Sequence, residues 1–146
     1  MTAIPEAITA FQAEFAGTDV ARRFTDDELE LIYSLAYNLY TQGKYEEAVR
    51  YFSFLTVYRP TSTRFLKGLG AAQFMGKRYV EATATYSFVI LLDPADAEAL
   101  CLNGQALLMS GELEDARACL EFATQVPGGK PEFAAKAKAL LELISA

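Results

Sequence analysis

The chain of 146 residues has no histidine and no tryptophan, and it has only two cysteines, Cys101 and Cys119. Without histidine, Ser-His and Cys-His nucleophiles and most zinc sites are excluded. Two cysteines are too few for a disulfide framework, and isolated cysteines on apolar helices are usually small core residues. We therefore expect no catalytic activity, no cofactor and no metal site.

Long apolar runs are also missing, since the longest are short stretches such as Phe88 to Leu92. A membrane span needs roughly 20 such residues. The first fifteen residues lack a basic segment and carry Glu6 and Glu14, so no secretory signal is evident and the expected location is the cytoplasm. The formal net charge of −6 disfavours binding to nucleic acid or anionic lipid.

What the chain does contain is a repeat with a period of 34 residues. Ala48, Ala82 and Ala116 lie 34 residues apart, each directly after Glu or Asp. A large residue follows four positions after each alanine, and these residues are Phe52, Tyr86 and Leu120. The spacing predicts pairs of helices in which the small alanine allows close approach and the large residue fills the space between them.

This pattern resembles the tetratricopeptide repeat. It predicts an all-α, right-handed superhelical solenoid of three helix hairpins over residues 27–128 within a single domain spanning 1–146. An N-terminal helical segment over 1–24 and a capping helix over 131–146 are expected to flank the repeats. Thr25 to Glu28 reads as a capping box, and Gly43, Gly76 and Gly111 suit left-handed residues at helix ends.

A stripe of tyrosines, Tyr33, Tyr37 and Tyr40, shares one face of the first predicted repeat helix. Leu35, Ala36 and Leu39 carry the packing pattern on another face, so the tyrosines are expected to line the hollow of the solenoid. The alternative is that the tyrosines cover the core or touch the N-terminal helix. An aromatic lining with few charges suits a peptide with apolar anchors.

The predicted lining of this peptide-binding groove also includes the equivalent positions of the later repeats and residues at the edge of the stripe. They are Glu30, Thr41, Arg64, Lys67, Ala71, Phe74, Met75, Cys101, Gln105 and Leu108. A clamp for a C-terminal carboxylate needs cations, and Tyr33, Tyr37, Glu98 and Leu102 stand in its places, so that mode of binding is disfavoured.

Certain strings are similar to a narrower family. They are Leu31 to Asn38, Gly43 to Ala48, Thr63 to Ala71 and Lys130 to Phe133. They resemble the class II chaperones of bacterial type III secretion, the SycD/LcrH/IpgC family. The similarity extends over about residues 25–135 of the chain.

The resemblance implies a cytoplasmic bacterial chaperone. Such a chaperone binds an N-terminal segment of hydrophobic translocator proteins in its groove and keeps them soluble and competent for secretion. It also implies a homodimer in the absence of client, formed through the N-terminal helical region. There Ile8, Phe11 and Phe15 share one apolar face.

Two alternatives remain open. The first is a generic tetratricopeptide scaffold that joins folded partners, and the second is an enzyme subunit with a cryptic site. The acidic clusters at Asp26 to Glu28 and Glu46 to Glu47 read as helix first turns rather than metal ligands, because carboxylates there complement the helix dipole.

Overall fold

The computed structural model describes residues 3–146, and all regular secondary structure in that range is α-helical. The helices are α1 Ala3–Ala16, α2 Asp19–Arg22, α3 Asp26–Thr41, α4 Tyr45–Tyr58, α5 Thr63–Met75, α6 Tyr79–Leu92, α7 Ala97–Met109, α8 Leu113–Gln125 and α9 Pro131–Ser145. None of the helices in this described part is long and apolar enough to cross a bilayer. The chain divides into two compact units, one ending at Ala72 and the other beginning at Gln73.

The first unit has a core formed by α3, α4 and the first part of α5. Ala48 and Phe52 of α4 are fully buried in it, as the repeat pattern predicts. A Cβ atom built on Gly68 of α5 would overlap the Phe52 ring, so the absence of a side chain at Gly68 is what admits the ring. Thr25 begins α3 with the predicted capping box, in which its hydroxyl accepts from the Glu28 amide and the Glu28 carboxylate accepts from the Thr25 amide.

The short helix α2 is fastened to the first unit by Arg59, which follows α4. The Arg59 guanidinium donates to the carbonyl oxygens of Ala21 at 2.8 Å and Phe24 at 3.1 Å, and it pairs with Asp26 at 2.9 Å. The Phe24 ring packs edge-on against Tyr58, with 4.8 Å between ring centroids. These contacts fix the position of the segment that joins α1 to α3.

The second unit is built around α7, α8 and α9. Leu120 of α8 is fully buried, and a Cβ atom on Gly104 of α7 would lie 2.6 Å from Leu120 Cγ. Ala137 of α9 is buried in the same core, while Lys136 and Lys138 are exposed. Helix α9 therefore packs on this core through its Ala137 face and leaves its lysines in solvent.

The turns between paired helices differ from the prediction at one position. Gly43 and Gly111 have φ of 79° and 84°, in the left-handed region that favours glycine. In the middle repeat the left-handed residue is Lys77, with φ of 64°, and not Gly76. The prediction for Gly76 is wrong because the repeat geometry fixes the position in the turn, and Gly76 lies one residue before it.

Candidate peptide-binding site

The aromatic rings of the first unit form a continuous series, which we call the aromatic track and define as Tyr45, Tyr40, Tyr37, Tyr33 and Phe65. Successive ring centroids are separated by 5.7, 6.1, 6.2 and 5.5 Å. The i, i+4, i+7 spacing of the three α3 tyrosines places them on one helix face. Neighbouring rings at these separations make favourable edge and offset contacts.

The tyrosines of the track differ in their exposure. Tyr33 and Tyr40 are half-buried, and both pack against the core of the first unit. Tyr37 is 50% exposed, so its ring presents apolar surface to the outside of the unit. Two rings of the stripe therefore cover the core, as one of the two interpretations expects, and the third is accessible. Its role in peptide binding stays a prediction.

Charged groups border the track at Tyr33. The Arg64 guanidinium lies 4.2 Å from the Tyr33 ring centroid, which is a cation–π distance, and it also forms an ion pair with Glu30. Burial raises the pKa of the Tyr40 hydroxyl, and the nearby Tyr45 and Tyr37 add to the effect. Tyr40 thus remains a neutral hydroxyl at physiological pH.

The other predicted lining residues of the first unit are accessible to different degrees. Thr41, Glu30 and Arg64 are exposed, and Lys67 and Ala71 are half-buried. Phe65, which ends the track, is 5% exposed and belongs to the core of the first unit, so its ring supports Tyr33 rather than offering contact surface.

In the second unit, Met75 is exposed, and Phe74, Gln105 and Leu108 are half-buried. Phe74 packs edge-on against Tyr79, with 5.3 Å between ring centroids. These four residues remain predicted contact residues. Cys101 does not, because it is 0% exposed and lies in the core with Ala137 of α9, where no ligand can touch it.

Both thiols behave as core groups, as the sequence analysis of the isolated cysteines predicts. The Cys119 thiol donates to the Leu100 carbonyl oxygen at 3.3 Å. Burial raises the pKa of both Cys101 and Cys119, so both stay protonated at neutral pH. No group of three residues that could hold a metal ion is found among residues 3–146.

The expected packing of α3 is wrong at Leu35. Ala36 and Leu39 are buried, but Leu35 is 44% exposed and Leu31 is 73% exposed. The first unit also has a cleft of about 490 Å³. It is lined by Ile32 of α3 and by four residues of α4, namely Glu47, Arg50, Tyr51 and Phe54.

The N-terminal face predicted for dimerisation borders a larger cleft within the first unit. Phe11 and Phe15 stack at 5.8 Å between centroids and line this cleft of about 830 Å³, while Ile8 is half-buried. The role of these three residues in dimerisation stays a prediction.

Comparison with known proteins places the chain among repeat proteins of bacterial secretion. The tetratricopeptide repeat model matches residues 29–61 and 64–96, so the predicted all-α repeat fold is confirmed. The low calcium response locus protein H of Yersinia pseudotuberculosis is 37% identical over 109 residues, which are 75% of this chain and 65% of that protein. The chain therefore spans slightly less than two thirds of the length of that relative.

Two solved structures share the fold over most of their length. Yersinia enterocolitica SycD, a type III secretion chaperone in complex with a peptide of the translocator YopD, is 35% identical with a TM-score of 0.76, covering 83% of this chain and 95% of SycD. Pseudomonas aeruginosa PcrH, in complex with the chaperone binding region of PopD, is 28% identical with a TM-score of 0.78, covering 84% of this chain and 94% of PcrH.

Proposed function

Because the chain belongs to the class II translocator chaperones of type III secretion, we propose that it binds an N-terminal segment of hydrophobic translocator proteins on its aromatic track. The observation that carries this proposal is the half-exposed Tyr37 between the half-buried rings of Tyr33 and Tyr40. Tyr33 and Tyr40 pack against the core of the first unit, and Tyr37 offers apolar area and a hydroxyl at small entropic cost.

The physical role follows from the chemistry of such clients. A protein that later enters a membrane exposes apolar segments, and large exposed apolar patches associate unless they are covered. A preformed aromatic surface on a chain of net charge −6 covers one such segment and keeps the complex solvated. The proposal is thus a binding protein without catalysis, acting in the bacterial cytoplasm before export and forming a homodimer when no client is bound.

Binding of translocator segments to the purified chain tests this proposal. The probes are the YopD peptide and the chaperone binding region of PopD, and calorimetry is expected to give a Kd of roughly micromolar for at least one. Tyr37→Ala should weaken that binding by about 30-fold or more, which corresponds to about 2 kcal/mol for a hot-spot tyrosine.

The matched control is Tyr51→Ala, which removes an exposed tyrosine of α4 outside the track. It should leave the Kd within about twofold. Equal weakening by the two variants would reject the track as the binding surface. Failure of the wild-type chain to bind any translocator segment, together with binding to a folded partner, would favour the scaffold alternative.

A further inference from the structure

Two methionines occupy the same place in successive repeats. Met75 is the last residue of α5 and Met109 is the last residue of α7, and they lie 34 residues apart in the sequence. Met75 is 43% exposed and Met109 is 54% exposed. Both belong to the second compact unit, and the exposed Thr41 at the end of α3 has the same place in the first. The repeat therefore presents two thioethers to solvent at one fixed position.

Each methionine follows a half-buried apolar residue that is a predicted contact of the peptide-binding groove. Phe74 precedes Met75, and Leu108, which packs on the core of the second unit, precedes Met109. Two residues after Met109 the chain turns at Gly111, where an added Cβ atom would meet nothing within 4 Å. The methionines thus lie at open helix ends, directly beside predicted lining residues.

Other side chains that an oxidant attacks readily are scarce in this chain. It has no histidine and no tryptophan, and its sulfur atoms belong to three methionines and two cysteines. Cys101 is 0% exposed, and the Cys119 thiol donates to a backbone carbonyl oxygen. Burial raises the pKa of both thiols, and the reactivity of cysteine towards peroxide follows its thiolate character and exposure. Within residues 3–146, the sulfur atoms most open to a peroxide are therefore those of Met75 and Met109.

A peroxide oxidises a thioether by transfer of one oxygen atom. A lone pair of the sulfur attacks a peroxide oxygen, an S–O bond forms and the O–O bond breaks. With hydrogen peroxide, the departing hydroxide takes the proton of the transferred oxygen and leaves as water. The sulfur loses two electrons and the peroxide gains them, so no further reactant is needed. The flexible apolar side chain becomes a polar and chiral sulfoxide.

We propose that Met75 and Met109 form an oxidation switch, through which a peroxide weakens the binding of a client segment to the second unit. This inference rests on the proposed function. In the reduced state, the thioethers offer flexible and polarisable apolar contacts. As sulfoxides, they carry hydrated oxygens, and an apolar client residue that covers them removes this hydration without replacing it. Because both side chains are exposed at helix ends, the conversion leaves the helical core intact.

The test treats the purified full chain with hydrogen peroxide, removes the peroxide, and then measures binding of the YopD peptide by calorimetry. Peptide mass mapping should show one added oxygen at Met75 and one at Met109. The Kd should rise by about tenfold, because two apolar contacts are lost. The far-ultraviolet circular dichroism should not change. Treatment with methionine sulfoxide reductases of both stereospecificities should restore the original masses and the original Kd.

The matched control is M75L/M109L, because leucine has nearly the volume of methionine and carries no sulfur. This variant should bind the peptide as the untreated native chain does, and peroxide should leave its Kd unchanged. The variant M75Q/M109Q places an uncharged polar group at both positions. It should weaken binding without any peroxide while the helical content stays native.

The outcomes separate the two proposals. Weaker binding after peroxide in the native chain but not in M75L/M109L supports the switch. Equal weakening in both would place the sensitive group elsewhere and overturn the switch. An unchanged Kd in a native chain that carries both sulfoxides, or no oxidation at either position, would also overturn it while leaving the proposed function intact. If the untreated native chain binds no translocator segment, the proposed function fails and the switch fails with it.

Discussion

The first helix of a repeat has a different exposure in the two compact units. Tyr33 of α3 and Cys101 of α7 occupy the same place in the repeat, two periods apart. Tyr33 is half-buried beneath the Arg64 guanidinium, whereas Cys101 is wholly buried in a core that includes Ala137 of α9. The repeat pattern therefore determines which helices pair, but the helices outside the repeats determine which faces remain open.

The terminal helices show the same contrast. Helix α9 contributes Ala137 to the core of the second unit and leaves its lysines exposed. Helix α1 contributes two aromatic rings to an 830 Å³ cleft instead of filling it. A terminal helix can thus complete a core, as α9 does, or border an open cleft, as α1 does.

The largest expected effect concerns a feature that the two units share. This feature is the large buried residue four positions after the alanine of the repeat. Phe52→Ala should lower the free energy of unfolding by about 3–5 kcal/mol and Leu120→Ala by about 2–5 kcal/mol, because each leaves a cavity in a closed core. Urea unfolding followed by circular dichroism measures both values.

The matched exposed variant for this pair is Tyr51→Ala, one residue from Phe52, which should change stability by no more than about 0.5 kcal/mol. If Phe52→Ala proves as mild as Tyr51→Ala, the two units do not share one packing rule.

A double variant tests the contact between Gly68 and Phe52. Gly68→Ala should lower the free energy of unfolding less in the Phe52→Ala background than in the native chain, because the ring that would collide with the new Cβ atom is gone.

Much of this architecture could be predicted from the sequence because it depends on local spacing. The 34-residue spacing of the repeat alanines predicted the helix pairs. The capping box of Thr25 and Glu28 predicted the start of α3. The sequence strings that resemble class II translocator chaperones indicated the family, and the relatives confirm it. These features are set by residues within one repeat.

The rest could not be predicted, because it depends on what lies against each face. Cys101 has the repeat position of a lining residue, but it lies in a core to which α8 and α9 also contribute. Leu35 was assigned to the packing face, yet it is 44% exposed, because nothing in the described part of the chain covers that side of α3. The cleft beneath α1 arises from contacts between residues about 50 positions apart, such as Gln12 and Thr61, for which the chain carries no periodic signal.

A smaller effect is expected for two arginines that contact segments near the two ends of the chain. Arg59→Ala removes the donor to the carbonyl oxygens of Ala21 and Phe24, and it should cost about 1–3 kcal/mol. Amide hydrogen exchange should then show faster exchange in α2. Arg117→Ala is the counterpart in the second unit, where the guanidinium donates to the Ser145 hydroxyl at 3.3 Å, and it should cost no more than about 0.5 kcal/mol.

Equal costs for the two arginine variants would contradict this contrast, because they would mean that Arg59 does not fasten α2. Unchanged exchange in α2 after Arg59→Ala would have the same meaning.

The smallest effect concerns the turn in which the middle repeat departs from its neighbours. Lys77 has φ of 64°, a conformation that glycine adopts without the steric cost paid by a residue with a Cβ atom. Lys77→Gly should therefore raise the free energy of unfolding by about 1 kcal/mol, offset in part by the greater freedom of glycine in the unfolded chain. The reverse change, Gly111→Lys, should lower it by a similar amount, since φ is 84° there and no neighbour within 4 Å would meet the new Cβ. Opposite signs for the two variants in urea unfolding would show that backbone conformation alone separates these turns, whereas a loss of stability in Lys77→Gly would mean that the lysine side chain contributes a contact worth more than the strain.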